Sequence, residues 1–377
     1  MPVSFGIATR LAAFYFAFFA WVGIVTAYFP PYLAGRGLDA GEIAWVLALP
    51  PLARIVAPAA WGWIADRTRA QKPIVVLSCA TGAVCFALLP AMPGFAGIAW
   101  LIAFSAVFSA AALPLVEAIT LGALAGQSGR YGPIRLWGSI GFIAVVLAGG
   151  ARLDAGALHL LPPAVAACAL AAAAIGWSLP SPRVHSPERV GVPLTRTAAA
   201  LIASAFFVSV SHGALYTFLT LHLQHLGYSG TVIGVLWTLG VLAEIVVFFY
   251  LPALFRRHAL STILMASAAL GVIRFQMIGW AADWLALLVV AQVLHAATFG
   301  SYHAAAVAAV HRIFAPHAHA RGQTLFSSLG YGAGGAAGAI TAGWAWGLGG
   351  AGLAFTVSSL AALAGLLFAY PLKRAGL

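Results

Sequence analysis

The chain has 377 residues, 19 Lys and Arg against 8 Asp and Glu, and a net charge of +11; 7% of its residues are charged and 63% are hydrophobic, for a mean hydropathy of +0.99. Soluble globular proteins hold about 25% charged residues, so an aqueous domain, a disordered chain and a nucleic-acid-binding surface are all excluded by composition. What remains is a chain solvated by lipid, and its apolar runs of about 20 residues, without the alternation of a barrel strand, predict membrane-spanning helices.

Twelve spans are expected, giving an all-α polytopic membrane protein. The first, 11–33, carries Tyr15, Trp21, Thr26 and Tyr28, and is too long, with too many spans behind it, for a cleaved leader. The second, 42–64, holds Arg54 among Pro50, Pro51 and Pro58. A charge at mid-membrane costs about 2.5–3.5 kcal/mol on insertion scales. Arg54 therefore either meets an opposite charge across a cavity or serves carbonyls freed by the prolines. The third span covers 73–91. The fourth, 96–123, contains Glu117, and the fifth, 132–150, contains Arg135, so the two charges fall on consecutive helices 18 residues apart. The sixth is 158–179. After a proline-rich connection come the seventh, 198–223, with His212, Tyr216 and Thr217, and the eighth, 231–251, with Glu244. The ninth, 259–280, holds Arg274; the tenth, 284–310, holds His295 and His303; the last two are 323–346 and 349–371. The fourth and tenth are long for single helices, which predicts tilt, a kink or extension beyond the bilayer.

Cations are distributed unevenly over the span ends. Arg10, Arg67, Arg69, Lys72, Arg130, Arg183, Arg189, Arg196, Arg256, Arg257, Arg312, Arg321, Lys373 and Arg374 fall on one side, and only Arg36 and Arg152 on the other. Cytoplasmic loops carry the excess of Lys and Arg, so both termini are expected in the cytoplasm and the net charge calls for no nucleic-acid partner. Seventeen Arg against two Lys, with abundant Ala, suit a GC-rich bacterial gene and hence a bacterial inner membrane. Cys79, Cys85 and Cys168 all lie within spans and predict no disulfide.

The connection 181–196 divides the chain into two six-helix bundles, 1–180 and 197–377. The halves repeat weakly. At an offset of 190, Leu33, Gly37, Ile43 and Ala44 superpose on Leu223, Gly227, Ile233 and Gly234, and Arg54 superposes on Glu244. At an offset of 189, Ser139-Ile140-Gly141-Phe142 superposes on Ser328-Leu329-Gly330-Tyr331. Two pseudo-symmetric parallel repeats are a secondary-transporter plan, with the site near the midplane. Twelve spans in one chain make a self-sufficient monomer the expectation.

Gly62-Trp63-Ile64-Ala65-Asp66-Arg67-Thr68-Arg69 resembles the G-x-x-x-D-R-x-x-R-type loop of the major facilitator superfamily. The resemblance implies that Gly62 permits close helix contact and that Asp66 and Arg67, with Arg69, form a cytoplasmic gate. Arg69 stands one place earlier than the last basic residue of that pattern. Glu117, with the run Tyr131-Gly132-Pro133-Ile134-Arg135-Leu136-Trp137-Gly138-Ser139-Ile140-Gly141-Phe142, resembles the lactose permease-like branch, and within it the 3-phenylpropionate transporter group. That resemblance implies alternating access, substrate contact at Glu117 and Arg135, and a place for Arg274 in a proton-coupling cluster. This chain lacks the acid that the lactose permease pattern has after the helix 10 histidine, which leaves Glu244 to carry the proton.

The expected function is therefore secondary transport of a small organic acid such as 3-phenylpropionate, coupled to H⁺. Glu117, Arg135, Tyr28, His212 and Tyr216 are the candidate substrate contacts, and Glu244, Arg274, His295 and His303 the candidate proton site. Each also has a structural reading: Glu117 and Arg135 as a static bridge, the histidines as helix contacts, the aromatic residues as interface anchors. A sugar or nucleoside symporter and a drug exporter of the same fold remain open. No phosphate-binding loop, no paired metal ligands around His311, His317 and His319, and no nucleophile–base constellation is present, so no cofactor, metal or enzymatic activity is expected.

Overall fold

A computed structural model describes residues 5–124, 126–181 and 194–377; Arg183, Arg189 and most of the 181–196 connection lie outside the described residues. Among the described residues the chain is helical, with no strand. The spans are α1 (Gly6–Gly35), α2 (Ala40–Thr68), α3 (Gln71–Ala91), α4 (Gly94–Leu124), α5 (Tyr131–Asp154), α6 (Leu158–Trp177), α7 (Arg196–His225), α8 (Gly230–Arg257), α9 (Leu260–Trp280) and α10 (Leu285–Ile313). The last apolar stretch, Pro316–Arg374, is broken at Gly349 and Gly350, the latter at φ +64°. Glycine alone enters that region without steric cost, and the break yields α11 (316–348) and α12 (351–374). The twelve expected spans are thus present.

Several spans are discontinuous. The long α4 breaks between Ser109 and Ala112, and α7 breaks at His212. The long α10 contains a π-helical stretch, Ala296–Ser301, and α11 a second, Ser327–Ala333. Such stretches are rare and often mark functional positions. Trp100, Phe249 and Trp284 are 76%, 76% and 71% exposed, a surface suited to lipid and not to water.

Contacts gather the described residues into two units. The first draws on 1–38, 56–186 and 229–234, and the second on 39–55, 187–228 and 235–377, so α2 and α8 each contribute to both. In the first unit, α1 packs on α5 and α6, and α3 on α6. The α1–α5 approach depends on small residues: a Cβ on Gly141 would overlap the Phe16 backbone, and one on Gly23 would lie 2.9 Å from Val145. At the far end of α5, Asp154 accepts from the Gly230 N–H at 2.5 Å, the Thr231 N–H at 2.9 Å and the Thr231 hydroxyl at 2.7 Å. A carboxylate on the first N–H groups of α8 satisfies orphan donors and complements the helix dipole. Asp154→Ala is expected to lower the thermal midpoint of purified protein and Asp154→Asn to lower it less; equal midpoints in all three would show that the cap contributes nothing.

The second unit has a core of Leu201, Ile263, Leu264, Tyr302, Phe326 and Leu372, all 5% exposed or less. Its polar tie runs across three helices. Tyr302 on α10 donates to Ser204 on α7 at 2.7 Å, and Ser204 donates to the Gly365 carbonyl on α12 at 2.9 Å.

Candidate substrate and proton sites

In the first unit, α1, α4 and α5 bring Tyr15, Phe19, Glu117, Tyr131 and Arg135 together. The Arg135 guanidinium carbon lies 3.8 Å from the Phe19 ring centroid and 5.4 Å from that of Tyr15. Cation–π contacts of this kind are worth about 0.5–2 kcal/mol. A guanidinium held on a ring face keeps its edge donors free, and among the described residues no acceptor takes them. Glu117 Oε1 accepts from the Tyr131 hydroxyl at 3.3 Å, while Tyr15 donates to Thr120 at 3.1 Å.

Glu117 and Arg135 are therefore neighbours but not the ion pair their spacing suggested: no N···O distance between them falls within 4.0 Å. Tyr131, one helical turn before Arg135, engages the carboxylate, and Phe19 engages the cation. Both side chains are half-buried.

The second unit holds the other cluster. His295 Nε2 lies 3.1 Å from Glu244 Oε1. The contact is ionic only when the imidazole is protonated. His295 immediately precedes the π-helical stretch, and Gly300 within that stretch faces the Glu244 side chain. Arg274 is fully buried; its Nε donates to the Ala291 carbonyl at 2.7 Å and its Nη1 to Thr298 at 3.0 Å. Ala291 and Thr298 flank His295 by four and three residues, so the guanidinium lies along the His295 face of α10. His295, Phe299 and His303 stack in series, with centroids 5.4 and 6.2 Å apart. His303 Nδ1 shares a 3.0 Å hydrogen bond with the Tyr331 hydroxyl in the second π-helical stretch.

His212 sits at the α7 break, 3% exposed, with Nδ1 2.8 Å from the Val208 carbonyl. Tyr216, one turn on, stacks against His212 at 6.0 Å and against Trp237 at 6.3 Å. The Arg54 side chain on α2 is solvent-accessible and makes no ion pair with Glu244. Tyr28 is 3% exposed, and its hydroxyl is committed to the Val146 carbonyl. The motif expected as a loop lies mostly within the last turns of α2, where Gly62 has no atom near a hypothetical Cβ. Asp66 is exposed without a cationic partner among the described residues, Arg67 lies 5.5 Å over Trp63, and Arg69 takes φ +54°.

Sequence reasoning missed Phe19, Thr298, Phe299 and Tyr331. Phe19 is four residues after Tyr15, and Phe299 lies midway between His295 and His303, so i, i+4 spacing from residues already singled out was the available signal.

Known proteins agree with this architecture. The profile of the MFS_1 like family matches residues 8–357. The probable 3-phenylpropionic acid transporter of Escherichia coli (strain K12) is 30% identical over 311 residues, 79% of this chain and 80% of that protein. The maltose permease of Geobacillus stearothermophilus is 28% identical over 73% of this chain and 71% of its own. Among solved structures, the nucleoside transporter NupG superposes with a TM-score of 0.82 at 17% identity, covering 98% of each chain. A D-xylose–proton symporter gives 0.77 at 13% identity, covering 97% of this chain and 98% of that one. The fold, the family profile and these relatives lead to one conclusion: the chain belongs to the MFS_1-like family and is a multi-pass membrane transporter of the major facilitator type.

Proposed function

We propose that the protein is a proton-coupled symporter of a small aromatic or related organic acid, working by alternating access as a monomer in a bacterial inner membrane with both termini cytoplasmic. The observation that carries the substrate class is Arg135. Its guanidinium is fixed on the faces of Phe19 and Tyr15, with its N–H donors unclaimed among the described residues. A carboxylate is the ligand that matches such a fork, and the same aromatic wall accepts a phenyl ring. The 30% identical relative, a probable 3-phenylpropionic acid transporter, supports this reading. Glu117, held by Tyr131, lies beside the site and disfavours an acid bound in reverse.

Proton coupling rests on the Glu244–His295 pair beside Arg274. A carboxylate in contact with an imidazole deep in a span can exchange a proton with it. His303 with Tyr331 extends the polar path along α10 and α11. A second reading, sugar symport, is favoured by the 28% identity to a maltose permease.

Calorimetric titration of purified protein with 3-phenylpropionate and, separately, maltose decides between them. The proposal expects 3-phenylpropionate to bind and Arg135→Ala to weaken it about 10–100-fold, the worth of a hydrogen bond to a charged group. Unchanged binding in Arg135→Ala, or binding of maltose alone, would overturn the substrate assignment.

A further inference from the structure

The second unit contains a knot of buried polar atoms that the transport reading does not use. His212 Nε2, His295 Nδ1, Arg274 Nη2 and Gln292 Nε2 are all buried and have no protein partner among the described residues. The His212 and His295 rings are 6.1 Å apart between centroids. Phe299 packs against both, at 5.5 and 5.4 Å, and Phe275 packs against His212 at 5.2 Å, so the knot has aromatic walls. A buried polar atom left unpaired costs about 1–3 kcal/mol, and native structures satisfy nearly all of them.

Counting donors and acceptors identifies the missing partner. A carbonyl can only accept, so His212 Nδ1, at 2.8 Å from the Val208 oxygen, carries the hydrogen and Nε2 is an acceptor. When Glu244 is ionised, His295 Nε2 carries the hydrogen toward it and Nδ1 is a second acceptor. Arg274 Nη2 is a donor. Gln292 Nε2 is a second donor, so the knot offers two acceptors and two donors. An anion cannot donate to two ring nitrogens, and a metal cation is repelled by the guanidinium. When Glu244 takes a proton it becomes the donor to Nε2, His295 changes tautomer, and Nδ1 turns from acceptor to donor. Only a ligand that both donates and accepts fits both states.

We propose that His212, Arg274 and His295 enclose a site for ordered water that bridges the two imidazoles, making His212 a positioning residue for the Glu244–His295 pair. The water accepts from Arg274 Nη2 and donates to His212 Nε2 and His295 Nδ1. Because the Val208 carbonyl fixes the His212 tautomer, the bridge holds His295 with Nε2–H toward Glu244. This inference rests on the role proposed above for that pair.

The test is nitrogen-15 magnetic resonance of histidine-labelled protein in liposomes, with His212→Phe and His295→Phe used to assign the signals. The wild type is expected to show His212 protonated on Nδ1 and His295 on Nε2, with exchange cross-peaks from water to the two unprotonated nitrogens. In His212→Phe the single His295 tautomer is expected to give way to a mixture. Absence of water cross-peaks in the wild type, or an unchanged His295 tautomer in folded His212→Phe, would overturn the proposal. If His212→Phe does not fold, the wild-type cross-peaks decide, with assignment from His212→Gln. A dry site in a protein whose uptake is proton-driven overturns the water bridge alone; a hydrated site in a protein without proton-driven uptake overturns the coupling and leaves the bridge standing.

Discussion

Arg274→Met is expected to fold with an unchanged or raised thermal midpoint while losing proton-driven uptake by about tenfold or more, at least 1.4 kcal/mol of function. Arg274 is fully buried and has no carboxylate within 4.0 Å; its contacts are two hydrogen bonds to neutral acceptors and the Phe275 ring, 5.4 Å from its guanidinium carbon. Replacing buried ionic groups by apolar ones of similar size is often neutral, or stabilising by about 1–4 kcal/mol. Methionine fills a comparable length. Thr298 keeps a contact to the His295 carbonyl at 3.4 Å, so that hydroxyl is not orphaned. A brace for the fold would behave in the opposite way. A clear drop in midpoint with uptake preserved in the surviving protein would make Arg274 structural.

The second large effect lies in the helix packing. Gly338→Leu is expected to abolish the yield of monodisperse protein. A Cβ at Gly338 would stand 2.8 Å from the Val210 carbonyl oxygen and 2.9 Å from the Val210 Cα, with the Gly213 Cα at 3.2 Å. These are backbone atoms of α7 on either side of its break, and they cannot move aside as a side-chain tip can. Overpacking costs about 1–3 kcal/mol where side chains can adjust, and more here. Gly347→Leu on the same helix is the control: nothing lies within 4 Å of its Cβ, so yield and midpoint are expected to be unchanged. Normal behaviour of Gly338→Leu on size-exclusion chromatography would contradict the α7–α11 approach.

The spans were legible because lipid forces a single solution on a long apolar run: hydropathy located all twelve, while the excess length of 96–123 and 284–310 was equally compatible with tilt, a kink or extension beyond the bilayer. The kind of interruption was not legible. Gly349 and Gly350 break the last stretch visibly, but the π-helical stretches at 296–301 and 327–333 depend on packing that the local sequence does not encode. Glu117 and Arg135 were found because charge is rare in these spans. Their partners were hidden among 23 Phe and 10 Tyr, where one more aromatic residue carries little information. The same holds for Phe299 and Tyr331. Glu244 and Arg274 stood out as charges within spans and His295 as a titratable side chain, with the family resemblance adding Arg274 to a proton cluster, and the three lie together on three different helices. Charge marks the residues; which neighbour each one meets is decided by helix rotation about its axis, and an α-helical sequence with apolar residues on every face does not fix that rotation.

The most direct test of the account is uptake of labelled 3-phenylpropionate into proteoliposomes with and without an inward proton gradient, in the wild type and in Glu244→Gln. The account predicts uptake accelerated by the gradient, abolished by a protonophore, and insensitive to the gradient in Glu244→Gln, whose amide cannot take up a proton. Wild-type uptake that is the same with and without the gradient, or a Glu244→Gln protein that responds to it as fully as the wild type, would contradict it.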